Sequence, residues 1–138
     1  MNDSGESRRH VRLPDQIQFK TQFILHSLRS RKFRFSSEAD LQDGIELALK
    51  VDDIPYEREY RMGPLGEDRI DFLVAGDIGL EVKFQGSPIE VARQLLRYAA
   101  FPAIGALVLA TGKLRLGRLP EVLLGKPISV LGLWKGFL

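Results

Sequence analysis

The chain has 138 residues, a formal net charge of +2, no cysteine and two histidines, His10 and His26. The length reads as one domain with a core of its own; the lack of cysteine excludes disulfides, thiolate chemistry and cysteine zinc sites, so any metal site must use oxygen ligands, which favours magnesium or manganese. No run reaches the eighteen or more apolar residues of a membrane span and the N-terminus is unlike a signal, so no membrane partner and a cytoplasmic location are expected.

Residues 1–14 are polar, charged and end at Pro14, which predicts a flexible basic arm before a single domain over residues 15–138. Arg8, Arg9, Arg12, Lys20, Arg29, Arg31, Lys32 and Arg34 load the first quarter with positive charge, a surface suited to nucleic acid or simply to solvent. Ile17, Phe23, Ile24 and Leu28 predict a first helix over Asp15–Leu28. Arg29–Phe35 is a basic connector whose two phenylalanines either stack on bases or anchor the loop. Ser37 and Asp40 match a capping box, and Leu41, Ile45, Ala48 and Leu49 form the stripe of a second helix, with Glu38 along the same face. Tyr56–Met62 reads as the first strand.

Two short apolar runs follow, Arg69–Val74 and Leu80–Phe84, bounded by glycine-containing turns, and both read as strands. Uniform alternation puts Ile70, Phe72 and Val74 on one face, with Asp71 and Leu73 opposite; it likewise opposes Leu80, Val82 and Phe84 to Glu81 and Lys83. A hairpin through Ala75–Gly79 then brings one carboxylate from each strand together, with a lysine two residues beyond. Such carboxylates repel unless a counterion or a shared proton intervenes. A divalent metal resolves the repulsion, and a nearby lysine can orient water or offset charge growing on phosphorus. The alternative is a surface ion pair on a half-exposed sheet.

Gly86-Ser87-Pro88 opens a third helix, with Val91, Gln94, Leu95 and Tyr98 as its stripe and Arg93 and Arg97 beside it. Ala103–Thr111 is an apolar strand of the kind covered on both faces, Gly112–Gly125 a turn-rich connection carrying Lys113, Arg115 and Arg118, and Pro127–Trp134 a last strand. The order α, α, β, β, β, α, β, β predicts an α/β fold, a central mixed β-sheet flanked by helices. The apolar run through Leu133, Trp134, Phe137 and Leu138 is either core strand or a subunit contact.

Asp71 followed by Glu81-Val82-Lys83, behind a helical Glu38, resembles the PD-(D/E)XK nuclease superfamily, the restriction-endonuclease-like fold, over about residues 37 to 111. Ile70-Asp71 stands where the motif name has Pro-Asp. Gln94 and Tyr98 resemble the Gln-x-x-x-Tyr element of the RecB-like exonuclease branch, and their spacing places them on one helix face. The resemblance implies Asp71 and Glu81 as ligands of Mg2+ (Mn2+ substituting), Lys83 as catalytic lysine and Glu38 as an acid for a second ion or its water. It implies Gln94 and Tyr98 as DNA-backbone contacts or buttresses, and Arg97 as a phosphate contact. Glu59 has no fixed place in the pattern; it reaches the metal region or pairs with an arginine such as Arg69. The implied activity is hydrolysis of DNA phosphodiesters by metal-activated water. Two alternatives accompany it: a Holliday-junction-resolvase-like nuclease acting as a homodimer or higher homo-oligomer, and a non-catalytic nucleic-acid-binding or assembly module that keeps the fold.

Overall fold

The computed structural model describes residues 14–112 and 118–133, with side chains from residue 16 onward. The arm at residues 1–13, Lys113, Arg115 and Trp134–Leu138 lie outside the described residues. Among the described residues three helices, α1 (Pro14–Arg29), α2 (Glu38–Val51) and α3 (Pro88–Ala99), accompany six strands. These are β1 (Tyr56–Met62), β2 (Asp68–Val74), β3 (Ile78–Lys83), β4 (Ala106–Thr111), β5 (Val122–Leu123) and β6 (Lys126–Gly132). Pro14 thus belongs to α1, at its first turn, where a missing N–H costs nothing.

The strands form one mixed sheet in the order β1-β2-β3-β4-β6-β5. β1–β2 and β2–β3 pair antiparallel, β4 lies parallel to both β3 and β6, and the two-residue β5 closes antiparallel on β6. The parallel β3–β4 step is made by α3, as a crossover requires. β4 is buried along its whole length, because helices cover both faces of the sheet.

α1 and α2 cover one face. Ile24, Leu25, Leu28, Leu41, Ile45, Ala48 and Leu49 pack there against Phe72, Val74, Leu80, Val82, Val108 and Ala110. α3 covers the other, with Val91, Leu95, Tyr98 and Ala99 against Ile70, Leu73, Ile104, Leu107 and Leu109. On α1 the inward place expected of Phe23 is taken by Thr21, which is buried and bonds the Ile17 carbonyl. Phe23 is half-exposed and stacks on Phe19 one turn back, since Ile24 and Leu28 fix the inward direction a residue away.

The strands do not alternate uniformly. Ile70 joins the α3-side core with Leu73, whereas Phe72 and Val74 belong to the α1/α2 side. A side chain at Gly79 would meet Ile70 Cδ1 at 2.7 Å and Leu107 Cδ2 at 2.9 Å, so Ile70 overlies the α3 face of β3. β1 changes sides at the same level: Tyr56 packs on the α1/α2 core and Tyr60 and Met62 on the α3 core. Between them Glu59 takes a left-handed backbone, φ 55°. The β1–β2 ladder keeps its register either side, with Arg58 opposite Phe72 and Tyr60 opposite Ile70. The reversal therefore turns about Glu59 and Asp71 without adding a residue to either strand.

Candidate functional site

Three elements converge on the end of β3. The β2–β3 ladder pairs Val74 with Ile78, Leu73 with Gly79 and Phe72 with Leu80, and one step further Asp71 faces Glu81. There the strands are joined by side chains. The Asp71 N–H donates to Glu81 Oε1 at 3.1 Å, and the Val82 N–H donates to Asp71 Oδ2 at 2.8 Å. Each carboxylate thus receives the backbone donor of the opposite strand, which satisfies groups that the opened ladder leaves without carbonyl partners.

Glu38 arrives from the first turn of α2, which Ser37 caps by accepting the Asp40 N–H at 3.0 Å. The expected reciprocal half of a capping box is absent here, because the shorter Asp40 side chain accepts from Ser36 instead. Glu38 Oε2 accepts the Phe84 N–H at 3.0 Å, just past β3. Lys83 Nζ lies 3.6 Å from Glu81 Oε2.

Burial decides the electrostatics. Glu81 is only 5% exposed. Removal from water, then the Asp71 charge, push its carboxyl up to about 7, against the lowering effects of the Asp71 N–H and Lys83. Burial likewise raises Asp71; the Val82 N–H opposes the shift and the Glu38 charge adds to it. Two partly dehydrated acids a strand apart form a site that gains from a cation.

The predicted helix residues separate into different roles. Tyr98 is buried, so it buttresses rather than presenting itself to a ligand. Its hydroxyl donates to the Arg69 carbonyl at 2.9 Å and accepts from Gln94 Nε2 at 2.9 Å, tying α3 to β2 two residues before Asp71. Burial first, then the charges of Glu81 and Asp71, raise the phenol, which keeps it a donor. Arg97 pairs with Asp68 at 3.1 Å and lies over the Tyr98 ring, its charge partly neutralised. Glu59 pairs with Arg69 at 3.7 Å on the exposed surface and does not join the carboxylates.

An open hollow of about 280 Å³ adjoins Lys83, bordered by Gln85, Gly86, Glu90, Val91, Gln94 and Arg97. Sequence reasoning missed the backbone donors of Val82 and Phe84 and the place of Gln85 and Glu90. The signal for Glu90 was present: Ser87 and Glu90 form a full capping box, fixing Glu90 at the rim of the hollow.

Asp71, Glu81 and Lys83 are brought together and Glu38 reaches their edge. Among the described residues no three His, Asp or Glu side chains are gathered into a cage for a metal ion. Asp71 Oδ1 and Glu38 Oε1 have no hydrogen-bond donor among the described residues, and Glu81 Oε2 faces only Lys83. That donor set fits a hard divalent cation held by one or two carboxylates and otherwise by water, as magnesium commonly is.

Among the described residues no helix is long and apolar enough to cross a membrane. Comparison with protein-family models, with curated proteins and with solved structures found no match, so the assignment of this site rests on its own chemistry.

Proposed function

We propose that this chain is a metal-dependent deoxyribonuclease with a restriction-endonuclease-like core, hydrolysing DNA phosphodiester bonds. The observation that carries the reading is the meeting of Asp71 and Glu81 where the β2–β3 ladder opens, with Lys83 3.6 Å from Glu81. The element order is in keeping with it: α2, the antiparallel β1, β2 and β3, then α3 and β4 follow the helix, three antiparallel strands, helix and further strand usual in the core of the superfamily that the motifs resemble.

Asp71 and Glu81 would hold the magnesium ion, and Glu38 would bind a second ion or its water from the helix side. When bound, the ion supplies Lewis-acid polarisation of a phosphoryl oxygen and a lower pKa for water. Lys83, which lines the hollow, would position a phosphate oxygen or the attacking water and offset charge developing on phosphorus. Gln94 and Tyr98 keep α3 fixed against β2, which holds the hollow's wall in register with the carboxylates.

One observation favours a second reading. The crossed carboxylate-to-backbone hydrogen bonds join β2 to β3 by themselves, as a structural clasp in a non-catalytic module would. Calorimetric titration with manganese separates the two. The nuclease reading expects binding by the wild type, binding retained in Lys83→Ala and binding lost in Asp71→Ala. No heat from the folded wild type supports the clasp.

A further inference from the structure

The connector between α1 and α2 has a split character. From Arg31 to Ser36 its residues alternate between half-buried and exposed, as extended chain does, with Arg31, Phe33 and Phe35 turned inward. The inward group is packed or paired, although Arg31 Nε is buried without a hydrogen-bond partner among the described residues. Phe33 fits against Gly44, where an added Cβ would lie 3.0 Å from the ring. Phe35 packs on Phe84 with ring centroids 5.3 Å apart, and Gly112 leaves room for both rings. Arg31 is taken by Asp52, which also accepts from Ser27. Of the two uses open to these phenylalanines, the structure shows anchoring.

The outward group is Lys32 and Arg34, both exposed and without an ion pair or hydrogen bond among the described residues. Several other cations near the site are paired: Arg58 with Asp43 and Glu46, Arg69 with Glu59, Arg97 with Asp68, Lys20 with Asp77. Arg93, beside Gln94 on α3, is also exposed without a partner among the described residues, but it stands on the other face of the sheet. Position makes the free pair informative. Phe35 touches Phe84, the neighbour of Lys83, and Glu38 bonds the Phe84 N–H, so the connector runs past the end of β3 opposite the hollow. Arg34 directly precedes Phe35, and Lys32 lies about 10 Å back from it along the extended chain, so the exposed pair stands beside the end of β3 that carries Lys83.

We propose that Lys32 and Arg34 form a phosphate track that holds the DNA backbone flanking the cleaved bond; the assignment rests on the nuclease reading. The contact is electrostatic, carries no base preference and is independent of the metal. Binding is therefore read in EDTA, by anisotropy of a short labelled duplex and its single strand across salt concentrations. The double variant Lys32→Ala/Arg34→Ala should weaken duplex binding roughly 10-fold at low salt and reduce the log–log salt slope by about 1.8. Melting should be unchanged, since neither side chain has a partner among the described residues. Lys50→Ala removes one charge about 18 Å along α2 from Glu38 and should leave the slope alone.

An unchanged slope in the double variant overturns the track, as does an equal effect from Lys50→Ala. Wild-type cleavage in magnesium is read separately. Cutting with an unchanged slope removes the track and leaves the nuclease. Lys32- and Arg34-dependent binding without cutting keeps the track and removes the nuclease. Neither binding nor cutting removes both.

Discussion

A carboxylate buried beside another carboxylate opposes folding once both ionise, and Glu81 is in that position. Its folded value, raised to about 7, lies above that of an unfolded glutamate. By linkage, the stability contributed by the protonated acid is complete below the unfolded value and is lost as pH rises through the folded one. A cation that binds only the ionised pair reverses this loss. Manganese should therefore raise the melting temperature more at about pH 8 than at about pH 5, and Asp71→Asn should abolish most of the gain. Equal gains at both pH values would count against ligation by Glu81. Tyr98 provides a separate test at this scale. Tyr98→Phe removes the donor to the Arg69 carbonyl and should cost about 1 kcal/mol in urea unfolding. DNA affinity should be unaffected, because the buried hydroxyl buttresses the site without touching substrate; a drop in affinity at unchanged stability would restore Tyr98 as a contact.

At the scale of elements, the helices were legible because caps and the 3.6-residue period act locally: Leu41, Ile45, Ala48 and Leu49 lie buried as their spacing requires. α1 was less so, since its apolar residues are not all on one face and the inward turn passes through Thr21. The carboxylate pair was legible from two apolar runs and the turn between them. The reversal of faces at Asp71 was not, because a period-two reading presumes a uniform pleat, and the left-handed Glu59 that accompanies it has no sequence signature of its own. That backbone makes a prediction. Glu59→Val places a β-branched residue at φ 55° and should cost about 1–2 kcal/mol, whereas Glu59→Gly should match or exceed wild-type stability. If both variants melt alike, the left-handed position does not govern the reversal. Arg58 reinforces the same region from the α2 side, lying over the Phe72 ring and pairing with Glu46.

For the molecule as a whole, the sheet between two helical layers follows from β4 being apolar on both sides and from the α3 crossover that makes β3 and β4 parallel. The layers divide the labour. α1 and α2 bring Glu38 and the anchored connector to the end of β3, and α3 supplies the hollow and the Tyr98 tie. The sheet's own departure from regular pairing places Asp71 against Glu81 between them. Sequence alone carried the α/β class and the mixed sheet, while the outward placement of Lys32 and Arg34 follows from the anchoring of Phe33 and Phe35 against distant residues, which no local pattern writes. The central claim is catalysis at that junction. It is tested most directly by incubating labelled linear, nicked, branched and single-stranded DNA with magnesium, manganese or EDTA, with wild type and Lys83→Ala side by side. The account predicts metal-dependent cutting of at least one substrate, abolished by EDTA and reduced by two orders of magnitude or more, on the order of the 10²–10³-fold effect of removing one electrostatic stabiliser, in Lys83→Ala. Cutting that survives the substitution undiminished, or no cutting of any substrate by folded wild type, contradicts it.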